Sequence, residues 1–458
     1  MASLLARTQE LSETMANHFE HDVLRKWYPL VLDTQCGGYL TNLEHDWALA
    51  PEQEKMIVTQ ARHIWTTSKA AGLVADGTPY EDFARHGLAF LKNSMWDDEY
   101  GGFYQIRSRD GGYSDVRGWR EEKRTYGIAF AIFAIAALYR QTGDPEALAL
   151  AQAAFRWVEE HAHDPTYGGY FQFLTRQGEP FDAQSQYRTV AADRNELGYK
   201  DQNSSIHLLE AYTELYLAWK DETLRKRLSA LLTLIRDTMV GDKGYLNLFF
   251  TRDWTPVSFR NAPPETRALN YGLDHVSFGH DYETAFLMLE ASHALDNEND
   301  ARTLSIARRM IEHAILNGWD RQNGGFFDGG VYQDSSGLCT IVRNRKTWWG
   351  QAEGLNALLL FSRIFPHDTE YQELFEKQWA YIDRFVLDHE HGDWFEGGLD
   401  QEPELRTAPK SHIWKCTYHT ARALMNCIAL LSDETDMTSG LRERRKALQS
   451  FIAHWKRT

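Results

Sequence analysis

The segment 80–140 decides the fold: YEDFARHGLAFLKNSMW at Tyr80–Trp96, YGGFY at Tyr100–Tyr104, and RTYGIAFAIFAIAALYR at Arg124–Arg140. Apolar residues recur at helical spacing on either side of a glycine pair flanked by aromatic residues, so the unit reads helix, glycine–aromatic hairpin, helix. The second helix is apolar nearly all round, as a helix enclosed on every side must be.

The same turn returns as CGGYL (36–40), YGGYF (167–171), KGYLN (243–247), NGGFF (323–327) and HGDWF (391–395). A repeat of this period means either an open helical solenoid or a closed ring. The apolar second helices favour the ring. The expected fold is all-α, an (α/α)6 barrel of about twelve helices with short β-hairpins at the connections, in which residues 1–458 form a single domain.

Of the 458 residues, 43% are hydrophobic and 13% aromatic, enough for a large core, and no Pro/Ser-rich linker divides the chain. The net charge of −16 argues against nucleic acid and against an anionic membrane as partner. The apolar run YGIAFAIFAIAALY (126–139) is too short to span a bilayer, and the N-terminus reads as an amphipathic helix rather than a secretory signal. Cys36, Cys339, Cys416 and Cys427 show no paired metal spacing, and a reducing cytoplasm is the expected home.

Aligned by repeat, every second helix begins with polar or aromatic residues. They are Arg62 and Trp65; Tyr126; Asn203 and His207; His280 and Glu283; Trp348, Trp349, Gln351 and Glu353; and Trp414, Lys415, His419 and Arg422. In a closed ring these starts meet at one mouth. Aromatic faces among carboxylates, amides and arginines suit a sugar, and six helix N-termini add a positive field that favours an anionic intermediate and neutral histidines.

Each position also has a plain reading. In VSFGHDYETAFLMLEA (276–291), Ser277 or Asp281 serves as a helix cap and Glu283 complements the helix dipole. His207 reads as a core histidine, the tryptophans as packing, and Arg62 and Arg422 as ion-pair partners of Glu283 or Glu353.

No metal-ligand spacing and no phosphate loop appears. A glycosidase would use two carboxylates, Glu283 and Glu353. A carbon-acid enzyme would use bases near neutral pKa, His280 and His419, to move a proton at C2 of an open-chain aldose through an enediolate. The paired histidines favour the second chemistry. A helical-repeat scaffold or a non-catalytic sugar-binding module are the readings outside enzymes.

The motifs VSFGHDYETAFLMLEA, TWWGQAEGLNALL, WKCTYHTARAL and NSSIHLLEAYTELY resemble the N-acylglucosamine 2-epimerase superfamily, in the same order over nearly the whole chain. The resemblance implies an (α/α)6 barrel working without metal or nicotinamide cofactor. It implies His280 and His419 as the acid/base pair and His207 in ring opening or orientation. Arg62, Tyr126, Asn203, Glu283, Trp349, Glu353, Trp414 and Lys415 follow as binding or support residues.

Two departures bear on the substrate. Ser205 stands where cellobiose-acting members resemble N-T/S-H-x-H, and the segment Thr251–Asp281 ahead of the fourth helix is long. Both point to a free monosaccharide, with interconversion of D-mannose and D-glucose as the expected reaction. The alternatives are 2-epimerisation of cellobiose or mannobiose at the reducing end, and mannose isomerisation to the ketose. A monomer or a homodimer is expected.

Overall fold

A computed structural model describes residues 2–116, 118–181, 196–332, 337–433 and 437–458. In chain order the helices begin with α1 (Ala2–Asn17), α2 (Arg25–Trp27), α3 (Ile57–Leu73), α4 (Thr78–Phe90), α5 (Thr125–Thr142), α6 (Pro145–His161), α7 (Gln202–Ala218) and α8 (Glu222–Leu234). They continue with α9 (Pro264–Leu269), α10 (Phe278–Ala294), α11 (Ala301–Gly318), α12 (Trp348–Ile364), α13 (Thr369–Phe385), α14 (Tyr418–Leu431) and α15 (Ser439–Arg457).

The helices following the glycine hairpins pack in a closed cycle, α3 on α5, α5 on α7, α7 on α10, α10 on α12, α12 on α14 and α14 back on α3. This is the expected (α/α)6 ring. Its inner wall is apolar because each inner helix is covered on all sides, and in α5 every residue from Thr125 to Leu138 is buried.

The sequence unit is not the packing unit. Each inner helix rests on the outer helix that follows it, α3 on α4, α5 on α6, α7 on α8, α10 on α11 and α12 on α13. The outer layer is closed by α1, which packs on α14, and α15, which with the short α2 and α9 stands outside the twelve of the ring, lies across α14, α12, α3 and α10.

The hairpins share one construction. Bridges join Leu32 to Tyr39, Trp96 to Phe103, His163 to Tyr170, Val240 to Leu246, Trp319 to Phe326 and Leu387 to Trp394. In the second, Gly101 and Gly102 adopt φ of +67° and +72°, and a Cβ on Gly102 would come within 2.8 Å of the Trp157 ring. Glycine is required there twice over, by backbone and by space.

A buried lysine fastens five of these turns. Lys123 donates to Asp97 at 3.0 Å and to the Gly101 carbonyl. Lys55 repeats this with Asp33 and Gly37, Lys200 with Asp164 and Gly168, Lys346 with Asp320 and Gly324, and Lys410 with Asp388 and Gly392. The fourth turn has Gly241 in the aspartate's place, and its Leu246 amide donates to Asp281 as the Tyr39 and Phe326 amides donate to Gln60 and Gln351 in the first and fifth turns.

The sheets are short and antiparallel, and all but one pair join successive units. They pair β1 (Lys55–Met56) with β2 (Ile106–Arg107), β3 (Lys123–Arg124) with β4 (Phe173–Leu174), and β5 (Lys200–Asp201) with β6 (Phe249–Phe250). The remaining sheet runs β7 (Val276–Ser277), β8 (Gly329–Tyr332) and β9 (Cys339–Arg343), in which β8 and β9 belong to one unit. Leu43 bridges Ser411, so the first unit meets the last. Among the described residues no helix is long and apolar enough to cross a membrane.

Candidate active site

The first turn of α10 gathers polar groups because each has a partner on another element. Ser277 forms no side-chain cap, and its hydroxyl lies 2.7 Å from His280 Nδ1. Asp281 is taken by the Leu246 amide at 2.9 Å, and Glu283 accepts from Arg422. The cap expected of Ser277 gives way to a local bond to His280, and Asp281 and Glu283 are held by partners distant in sequence. The exchange is favourable because a buried carboxylate needs a donor more than a helix end needs a cap.

Two histidines flank one indole. The Trp349 ring centroid lies 4.9 Å from that of His280 and 5.7 Å from that of His419. Gly279 makes room for it, since a Cβ there would stand 2.4 Å from the indole. His419 Nδ1 lies 2.6 Å from Glu353 Oε1 and His207 Nδ1 lies 3.0 Å from Glu210 Oε2. A carboxylate accepts from Nδ1–H, which leaves Nε2 of each ring as the basic nitrogen.

Arg422 binds the carboxylates together. Its Nη2 donates to Glu283 and Glu353, its Nη1 to Glu210 and to the Tyr418 hydroxyl, and Tyr418 in turn donates to Glu210. Burial works against this charge, yet Glu353, Tyr418, Glu210 and Glu283 hold the guanidinium well above its ordinary pKa. Burial pushes Glu353 up, with Arg422 opposing.

On the adjoining wall Arg62 donates to the Trp414 carbonyl at 3.0 Å and to the Tyr126 hydroxyl at 3.1 Å, and its guanidinium lies 4.4 Å over Phe130. Arg62 is therefore not an ion-pair partner of Glu283 or Glu353. Tyr126 packs edge-on against His207 at 5.3 Å, and Trp414, 39% exposed, stands 6.4 Å from Tyr126. Asn203 Oδ1, Arg62 Nε and Glu353 Oε2 are buried without a protein partner. Donors and acceptors left open in this way are available to a polyhydroxylated ligand.

The electrostatics favour neutral imidazoles. Burial lowers His280 to about 3, with His207, His275 and His419 adding to the effect. Burial also takes His419 well below its ordinary value, with Arg62 contributing.

Ten of the sequence-derived residues thus converge: Arg62, Tyr126, Asn203, His207, His280, Glu283, Trp349, Glu353, Trp414 and His419. Lys415 does not join them. Its ammonium is held by Asp393 at 3.2 Å and the Lys410 carbonyl at 2.7 Å, between Trp27 and Trp348, where it supports the sixth hairpin. Gln351 likewise clamps Phe326 N and O.

Glu210 and Tyr418 belong to the constellation and were not singled out from the sequence. The spacing of His207 and Glu210, which share a helix face, was the available signal. Glu283, Glu353 and His419 offer ligand atoms within 4.8 Å of one another, but Arg422 already donates to both carboxylates. Glu210 and Arg422 also border a cavity of about 1020 Å³ toward α15, whose lining includes Lys69, Glu214, Glu290 and Arg444.

Comparison with known proteins follows this geometry. Residues 38–423 match the family model for N-acylglucosamine 2-epimerase. A cellobiose 2-epimerase of Bacteroides fragilis is 29% identical over 432 residues, covering 92% of this chain and 99% of that protein. One from Ruminococcus albus is 30% identical over 425 residues, covering 92% and 97%. The structure of a cellobiose 2-epimerase from Bacillus thermoamylovorans superposes with a TM-score of 0.78 at 23% identity, covering 92% of this chain and 99% of that one, and so shares the fold. With the ring, the histidine pair and the family match in agreement, the chain belongs to the N-acylglucosamine 2-epimerase family, a family of carbohydrate-isomerising enzymes.

Proposed function

We propose that the protein is a sugar 2-epimerase acting at the reducing-end sugar of a cellobiose-type disaccharide. The observation that carries the reading is the pair His280 and His419 set against the one indole of Trp349. The substrate follows the relatives, which are cellobiose 2-epimerases along almost their full length. They weigh toward the disaccharide and away from the free mannose expected from the sequence.

In this reading His207 assists ring opening, and one of the two bases removes the C2 proton beside the C1 aldehyde. With His419 as that base, its imidazolium is compensated by Glu353 and the electron pair left at C2 delocalises onto O1 as an enediolate. Arg62, Tyr126 and the N-termini of the inner helices face that charge. The enediolate's charge offsets the burial that keeps His280 neutral, so His280 takes a proton from solvent and delivers it to the other face of C2 while His419 releases its own to solvent. In the reverse direction the roles interchange. Asn203 and Trp414 bind hydroxyls and sugar faces, and Arg422 positions the carboxylates behind the histidines.

A glycosidase reading loses its two carboxylates. Glu283 and Glu353 are both committed to Arg422, and Glu353 also to His419.

A monosaccharide substrate is the second reading, on two observations. Ser205 is buried with its hydroxyl on the Asp201 carbonyl at 2.8 Å, so it offers nothing to the mouth. The long segment carrying α9 ends directly in β7 and the start of α10, beside His280.

Incubation of purified protein with cellobiose, mannose and glucose separately, with products identified by chromatography, tests the proposal. Conversion of cellobiose to glucosyl-mannose in preference to any change in mannose supports it. Turnover of mannose alone moves the assignment to the second reading, and release of free glucose from cellobiose refutes both.

A further inference from the structure

The segment ahead of α10 encloses a cavity of its own, about 440 Å³, roofed by α9 and floored by β8 and β9, apart from the sugar mouth. Three arginines line it: Arg260, Arg267 and Arg343. Two are fixed by aromatic faces rather than by acids. The Arg343 guanidinium lies 4.3 Å from the Tyr271 ring centroid and that of Arg260 lies 5.6 Å from Tyr332, with Arg260 also donating to the Tyr245 hydroxyl.

Among the described residues none of the three forms an ion pair. The acid in the lining, Asp274, accepts through Oδ2 from the Ser258 hydroxyl at 2.9 Å and from the Phe259 amide, and pairs with none of the three. The Tyr271 hydroxyl is buried with no hydrogen-bond partner. In a chain of net charge −16, converging cations that lack carboxylate partners, beside an idle buried hydroxyl, mark a place built for an anion. A guanidinium that meets no carboxylate has N–H donors left to grip phosphoryl oxygens in pairs.

We propose that this cavity binds a phosphoryl group, with Arg260, Arg267 and Arg343 as its cationic contacts and Tyr271 as a neutral donor. Its volume accommodates the group together with a small polar or sugar body. The site is distinct from the catalytic mouth and stands whatever sugar the mouth accepts.

Calorimetric titration of the full chain with inorganic phosphate, with a hexose monophosphate and with the unphosphorylated hexose tests it. Both phosphate-bearing probes are expected to bind, and the Arg260→Gln/Arg343→Gln protein is expected to bind them tenfold or more weakly, about the loss for removing charge-assisted hydrogen bonds. Tyr271→Phe, which removes one hydroxyl and leaves the packing, is expected to weaken binding several-fold and covers the case of a double variant that does not fold. Equal affinity for the two phosphate probes assigns the site to the free anion, and tighter binding of the monophosphate assigns it to a phosphorylated sugar. Because these residues lie outside the sugar mouth, epimerase activity of the variants is expected to persist. Absence of binding by both phosphate probes at about 10 mM, or binding unchanged in the arginine and tyrosine variants, overturns the proposal.

Discussion

His419 Nδ1 lies 2.6 Å from the carboxylate of Glu353, while His280 Nδ1 lies 2.7 Å from the hydroxyl of Ser277. The two bases are thus unlike: one is backed by a carboxylate that stabilises its imidazolium, the other by a neutral hydroxyl. Glu353→Gln keeps an acceptor and removes the charge. Turnover is expected to fall roughly 10²-fold with little change in KM, as read from steady-state kinetics. A KM effect alone would mean that Glu353 only binds substrate.

Either histidine changed to asparagine is expected to lower turnover by roughly 10²-fold or more. Near-normal rates in either variant would remove that residue from the chemistry.

Burial holds His280 near 3 and His419 well below the ordinary histidine value. A base with a depressed pKa keeps its lone pair to lower pH, so the acid limb of kcat/KM is expected below the usual histidine value of about 6.5. A pH profile with its acid limb at or above that value would contradict the burial of these rings.

Arg422→Met leaves Glu210, Glu283 and Glu353 buried without their shared cation. Breaking buried pairs in this way costs about 3–5 kcal/mol, and urea unfolding is expected to show at least that loss. A stability near wild type would show that water or protonation replaces the guanidinium without penalty.

Asp97 in the second hairpin is expected to contribute to the acid sensitivity of the fold. Burial alone would raise Asp97, but Arg176 and Lys123 hold it well below the usual carboxylate range. A carboxylate depressed in the folded state contributes stability that is complete above the unfolded pKa, about 3.9, and is lost as pH falls through the folded value. Melting temperature is expected to drop steeply below about pH 4, and less steeply in Asp97→Asn. Parallel slopes would remove this turn from the acid response.

The ring and its mouth were legible because glycine–aromatic turns and apolar inner helices leave a periodic trace. Partner choice left less. Nothing in the local pattern shows that α3 rests on α4 rather than on the helix before its hairpin, since that depends on ring closure. Lys415 and Trp414 are neighbours in sequence, yet one is buried under the sixth hairpin and the other faces the mouth, a difference fixed by Asp393. The aspartate four residues before the glycine in five of the six turns was visible and marks the buried lysine pairs, but its meaning needed the lysine's position. Ser277 read as a cap because its bond to His280 runs against the ordinary use of that position.

The most direct measurement incubates cellobiose with the protein in heavy water and locates the label by nuclear magnetic resonance. Two-base epimerisation predicts glucosyl-mannose carrying deuterium at C2 of the reducing sugar. A ketose labelled at C1, or an epimer formed with no deuterium at C2, would contradict proton transfer by His280 and His419 at that carbon.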